Sequence, residues 1–433
     1  MRRRARSVPL PIICVLISFL APSELSLYVA DLRLPPHRIA LLAFFPMAAW
    51  RLFFSGTCRV RFFDILFLLY NAWTFIVYAQ HGTNGGVAYG GSLALEGMGA
   101  YTIARAYVRD IETFHSTLRM FVVTVLVAGL IALPETLFGQ HFVHSFLKPI
   151  FGGDIYPLET RWGLTRAAAT FDHPIHLGTY CAGLVALVWY SERRAQERYG
   201  KMAIMGVATF TALSSAPLLC AALQVGLAVL ERVTRQVKNR AMIAGIALAG
   251  LYIGISLFAT RSPIAILATG LTIDSWTGYY RLHIWENGIK NVLAHPLFGI
   301  GLADWERPWW MISGTVDSLW LVTAMRSGLP SVILMGLSVV FLAFAVSKAT
   351  WNRSDPQRAR IATGWLISMF AWVLVGFTVH YWNVLYTVFF FFLGLGGWLA
   401  DAKRVRRRAR RPAIGLGALQ HGVAAPIPAN ALR

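Results

Sequence analysis

Long apolar runs, each broken by a short polar or basic stretch, set the pattern of the chain. A membrane-crossing helix needs about 20 predominantly apolar residues. On that measure twelve spans are expected, at 9–29, 37–55, 61–80, 91–108, 118–138, 174–191, 201–214, 216–231, 241–259, 328–347, 361–379 and 382–400. The seventh and eighth are short and meet at Ser214-Ser215-Ala216-Pro217, and the fourth is rich in glycine and carries Glu96. Two long segments interrupt the series, 139–173 and 260–327, and the second gathers Arg281, His283, Glu286, His295, Asp304, Asp317 and Arg326 among Trp, Gly and Pro.

Composition narrows the class. Hydrophobic residues make up 56% of the 433 and charged residues 14%, against about 25% charged in a soluble domain. The expectation is an all-α polytopic membrane protein with a single transmembrane domain over 1–411 and a disordered cytoplasmic tail over 412–433. The net charge of +20 would suit a nucleic-acid partner, but its placement argues for a bilayer instead. Basic residues cluster at 59–61, 105–109, 193–201, 232–240, 348–360 and 403–411. With an even number of spans these all fall on one side, which the positive-inside rule makes cytoplasmic, together with both termini. The two long segments then face outward. Cys14, Cys58, Cys181 and Cys220 have neither disulfide nor zinc spacing.

Within the first outer segment, Arg161 and Arg166 flank Trp162 just ahead of Asp172-His173-Pro174. Pro174 suits the first turn of a helix, with Asp172 or His173 as its cap. Arginine offers a planar fork of donors that matches phosphate oxygens, so the pair could hold a pyrophosphate; snorkelling, or pairing with Glu159 and Asp172, are the structural alternatives. In the second segment, Leu282, Ile289 and Leu293 recur at helical spacing with Trp285 and Val292 beside them. That pattern predicts a short amphipathic helix with Arg281 turned toward the protein and His283, Glu286, Asn287 and Lys290 toward water. His295 ends this helix, as a substrate contact or as a histidine satisfied by a backbone carbonyl. Asp317 precedes an apolar helix and can be its N-cap, a general base, or both. Inside spans, Glu24 and Glu96 are expected to pair with arginines, and Asp64 to lie near Arg59 and Arg61.

Arg166 through Gly178 and Tyr280 through Trp285, followed by His295-Pro296-Leu297-Phe298-Gly299-Ile300-Gly301, together resemble motifs of the O-antigen ligase/O-antigen polymerase (Wzy-type) superfamily. The resemblance implies a GT-C-like membrane glycosyltransferase of about twelve helices with a large periplasmic loop, in the bacterial inner membrane. Its substrate would be undecaprenyl-pyrophosphate-linked oligosaccharide, no metal or other cofactor is required, and flippase and chain-length regulator proteins are the implied partners. Arg166 and Arg281 match the arginines that hold the pyrophosphate, with Arg161 a looser match; His173, His295 and Trp285 become substrate contacts. Where ligases carry a histidine before the helix, this chain has Asp317-Ser318, which favours a polymerase with Asp317 as base. A transporter of lipid-linked glycan is the expectation from a different class, and its essential groups would be Glu24 and Glu96.

Overall fold

The apolar runs become helices. A computed structural model describes residues 7–29, 32–81, 85–153, 155–237, 275–351 and 355–401, and these are mostly helical. Six helices are long and apolar enough to cross a membrane: Phe62–Gln80, Ile111–Phe138, Ser215–Val233, Leu319–Thr350, Pro356–Val375 and Val384–Asp401. The expected span at 241–259, the segment 260–274 and the tail 412–433 lie outside the described residues.

The other expected spans are helical but shorter or interrupted. The first, expected over 9–29, ends early: α1 runs Leu10–Ser18, then Pro22-Ser23-Glu24 leads into a 3-10 turn and an antiparallel ribbon of β1 (Leu27–Val29) with β2 (Leu32–Leu34). Next, α2 (Pro36–Ala49) continues into a π-turn at Trp50–Phe54. After α3 (Phe62–Gln80), α4 (Gly86–Ala94) and α5 (Ala100–Tyr107) are joined by a second π-turn, Leu95–Gly99, which carries Glu96. There the buried Glu96 meets His37 at 2.9 Å and Arg38 at 2.7 Å. Pairing offsets the cost of burying a carboxylate. Asp64 is fully buried, at the first turn of α3, where Arg105, 3.2 Å away, and Tyr101 hold it. Of the two arginines expected beside it, Arg61 meets it through its backbone N–H and Arg59 does not.

Further along are α6 (Ile111–Phe138), α7 (Phe142–Phe151), the short ribbon β3 (Thr160–Arg161) with β4 (Leu164–Thr165), and α8 (Pro174–Ala182) with α9 (Val185–Ser191), broken at Gly183-Leu184. Then follow α10 (Ala195–Thr211), α11 (Ser215–Val233), α12 (Ser275–Ala294), α13 (Leu319–Thr350), α14 (Pro356–Val375) and α15 (Val384–Leu395). One large apolar core, rich in Phe, Trp and Tyr from α3, α5, α8, α14 and α15, holds these helices together. A smaller core around Ile284, Trp305, Met311 and Met325 sits under the second long segment.

The connections gather at two ends of the bundle. At one end Arg61 donates to the Ala400 carbonyl, Arg358 to that of Trp398 and Arg360 to that of Glu192. At the other, Asn383 bonds Asp172 at 2.8 Å, Ser318 Oγ donates to the Gly376 carbonyl and Arg161 donates to the Leu213 carbonyl. The second end carries the described parts of both long segments. Helix α13 is bent there at Gly328 (φ 77°), where a Cβ would lie 1.9 Å from the Leu297 carbonyl oxygen. Only glycine admits both that dihedral and that approach. The bend lets Leu329 N–H donate to the Pro296 carbonyl and docks the His295–Gly301 turn on the helix.

Candidate functional site

In the second segment α12 lies across α13, so close that a Cβ on Gly288 would meet Leu321 at 2.7 Å. Its buried face is Ile284, Asn287, Gly288, Asn291 and Val292, at helical spacing, whereas Ile289 and Leu293 are exposed. The apolar stripe expected from Leu282, Ile289 and Leu293 is therefore corrected, as is the wet position of Asn287. Two asparagines win burial because each has partners. Asn291 donates to the Glu306 carbonyl and accepts from Glu306 N–H, while Asn287 donates to the His283 carbonyl. His283 is half-buried between Tyr279 and Trp310 rather than freely hydrated.

Arg281 does turn inward. Its side chain is 12% exposed and that of Asp317 42%, with Nε 3.7 Å from Oδ2. That separation is an ion pair but too long for a hydrogen bond. Among the described residues no acceptor meets this buried N–H. Burial lowers the Arg281 pKa against the pull of Asp317. Burial likewise raises the Asp317 carboxyl, with Arg281 opposing. The 42% of its side chain that stays exposed keeps the rise modest. The cap of α13 is Ser318, whose Oγ accepts from Leu321 N–H, so Asp317 is released from the capping role. Trp285, one turn after Arg281, donates to the Phe377 carbonyl at 3.2 Å and stacks on that ring. His295 is exposed at the far end of α12, about 20 Å from Arg281 along the helix at 1.5 Å per residue. The structure does not bring these two together.

The first segment is built more tightly. Arg166, with 4% of its side chain exposed, bonds Glu159 at 2.5 Å, the Tyr156 hydroxyl at 3.0 Å and the Ala212 carbonyl at 3.4 Å. Burial works to raise the Glu159 pKa, but the Tyr156 hydroxyl and Arg166 outweigh it and hold the carboxyl below its ordinary range. Arg161 is spent partly on the Leu213 carbonyl at 2.9 Å. His173, not Asp172, caps α8, its Nδ1 accepting from Ile175 N–H, and burial pushes its pKa down to about 3. A neutral ring is what this acceptor role requires.

Two carboxylates from the preceding helices brace the segment. Glu135, fully buried in α6, accepts from Ala168 N–H at 3.0 Å and Ala169 N–H at 2.8 Å, across a turn where Ala169 has φ 53°. Glu24 binds His144 Nδ1, and His144 Nε2 reaches the Phe171 carbonyl. Glu24 thus pairs with a histidine, not with the expected arginine.

The link between the two segments is the eight-residue connection Gly376–Asn383, which the apolar pattern passes over as a tight turn between spans. Its Gly376 carbonyl takes Ser318 Oγ, next to Asp317, and its Phe377 takes Trp285. Its Trp382 packs on His173 and His176, and Asn383 binds Asp172. His380, whose pKa burial holds down at about 4, accepts from His176 on its carbonyl oxygen at 3.3 Å. The sequence signal for it is the run Thr378-Val379-His380-Tyr381-Trp382-Asn383, polar and aromatic between two apolar helices.

Chemically, the site end offers one buried guanidinium with no hydrogen bond at its Nε beside a half-exposed carboxylate, and a second guanidinium that the protein already bonds at Nε and one terminal nitrogen. The first can meet an anion, and the carboxylate can accept a proton. No protein-family model matches the chain, and no protein of curated function matches it in sequence.

Proposed function

We propose that the protein is a GT-C-like membrane glycosyltransferase that polymerises undecaprenyl-pyrophosphate-linked oligosaccharide repeat units at the periplasmic face of the bacterial inner membrane. The observation that carries this reading is the Arg281–Asp317 pair, a donor short of acceptors next to a carboxylate of raised pKa. Arg281 binds the pyrophosphate, and its contribution grows as negative charge develops on the leaving group. Asp317 takes the proton of an acceptor sugar hydroxyl. The new C–O bond forms at the anomeric carbon as the bond to the phosphate oxygen breaks, and its electron pair leaves with the pyrophosphate.

Arg166 joins only if Glu159, whose side chain is 44% exposed, swings aside; otherwise Arg166 and Arg161 shape the wall near His173. Trp285 supports the Arg281 turn, and His295 touches only a distal part of a long glycan. The large periplasmic loop of the proposal is the 260–327 segment, and twelve spans with both ends cytoplasmic complete the topology.

A transporter reading draws on one observation, the buried Glu96–His37–Arg38 cluster on a π-turn, since such turns often mark functional sites. The test is the size profile of lipid-linked and exported glycan in cells lacking the protein, complemented with wild type, Asp317→Asn or Glu96→Gln. Single repeat units with no rescue by Asp317→Asn support the polymerase. Long lipid-linked chains that never reach an acceptor indicate a ligase. Failure of Glu96→Gln alone, at normal protein level, favours transport.

A further inference from the structure

The end of the bundle opposite Arg281 holds a cavity of its own. Residues at the ends of α9, α11 and α13 and the starts of α10 and α14 line a half-open cavity of about 720 Å³, within the ordinary range for ligand sites. Arg198, Arg232, Arg235 and Arg360 line it, with Trp189 and Trp351, against a single carboxylate, Glu231. That carboxylate is already shared, accepting from Arg235 at 3.2 Å and from the Tyr190 hydroxyl at 2.8 Å. Arg198 is half-buried with its guanidinium over Trp189 at 4.4 Å, and its buried Nε has no hydrogen bond among the described residues. Among the described residues Arg360 bonds a backbone carbonyl, that of Glu192 at 3.3 Å, and no carboxylate, while the charges of Arg198, Arg193 and Arg235 all bear on it.

Loops made basic for topology alone need only carry charge. Here four arginines, Arg198 half-buried and Arg232, Arg235 and Arg360 exposed, face one cavity with one carboxylate among its described lining residues, and an anion entering between them lowers their mutual repulsion. Guanidinium forks fit phosphate oxygens two at a time, and basic pockets between spanning helices recognise acidic lipid headgroups. Trp351, 85% exposed at the rim, has the character of an interfacial anchor.

We infer that this cavity binds a phosphate-bearing anion, of the kind an acidic phospholipid headgroup presents, through Arg198, Arg235 and Arg360. The inference is independent of the glycosyltransferase proposal.

The test measures binding to the full-length protein of diphosphatidylglycerol in phosphatidylcholine nanodiscs, of phosphatidylcholine alone, and of inorganic pyrophosphate. The expected result is saturable binding of a phosphate probe, weakened on the order of thirtyfold in the Arg198→Gln/Arg235→Gln variant, about fivefold per arginine. Retention of diphosphatidylglycerol in the presence of excess pyrophosphate identifies a lipid source, and displacement by pyrophosphate identifies a soluble one. Equal affinity of wild type and variant for both phosphate probes overturns the inference. If the glutamine variant fails to fold, Arg198→Lys/Arg235→Lys replaces it. That variant keeps the charge and loses the fork, so affinity falls by a smaller factor, and unchanged affinity again overturns the inference.

Discussion

Arg166 and Arg281 are two inward-facing arginines at the same end of the bundle, and they differ in how much of their bonding capacity the protein uses. Arg166 has a carboxylate, a hydroxyl and a carbonyl, on a segment braced from behind by Glu135. Arg281 has one carboxylate at 3.7 Å and a buried N–H with no acceptor among the described residues. Turning a guanidinium inward therefore does not by itself fix its role. The arginine bonded at three points is architecture first, whereas the other is a donor kept in reserve.

The largest effect separates them by activity. Arg281→Ala and Asp317→Asn each cut polymer formation by about 10²–10³-fold with the protein still folded, the scale of losing one charge-stabilising group. A full-length glycan ladder from either variant would break the contrast at its centre. Next, Glu135→Leu leaves the N–H groups of Ala168 and Ala169 without their acceptor. It destabilises the protein by about 2–6 kcal/mol, read by thermal unfolding in detergent, at about 1–3 kcal/mol per unsatisfied group. Arg166→Ala costs about 1–3 kcal/mol in the same assay, with activity falling only as folded protein falls. Equal melting temperatures for Arg166→Ala and wild type would mean that the three bonds of Arg166 are incidental.

The smallest effects are in pH dependence, and their signs differ. Glu159 is held below its ordinary pKa by Tyr156 and Arg166 against burial, so its contribution is complete above about pH 4.3 and is lost as pH falls through its folded value. Burial pushes His144 down, but its bond to Glu24 outweighs this and raises its pKa. That contribution is complete below about pH 6.5 and is lost as pH rises through the folded value. Melting temperature against pH should show both slopes, and Glu24→Gln should flatten the second. In the other segment, Asp317 is raised, so the acid limb of activity should lie above about pH 3.9. A limb at or below that pH would remove Asp317 as the base.

Much of this architecture is written in residue spacing. The apolar runs expected to span at 61–80, 118–138 and 328–347 lie within the long helices Phe62–Gln80, Ile111–Phe138 and Leu319–Thr350, and Arg281 turns inward as expected although the apolar face predicted beside it does not. What spacing could not reveal depends on partners distant in the chain. Glu24 finds His144, 120 residues away, and Asn291 is buried because a backbone carbonyl and N–H at Glu306 complete it. The face of α12 was misjudged for that reason, since hydropathy scores an asparagine as wet whether or not its bonds are satisfied. Ser318 rather than Asp317 caps α13 because both residues suit a cap, and only the fold decides between them.

The Gly376–Asn383 connection has a consequence for biogenesis. Chains are made from the N-terminus and their units form in that order, and both mounting points of the site close on a connection synthesised after them. Until it emerges, Asp172 lacks Asn383 and Ser318 lacks the Gly376 carbonyl. A nascent or truncated chain ending before Gly376 thus lacks both ties, so that under the proposed function its site is assembled only once Asn383 has been made.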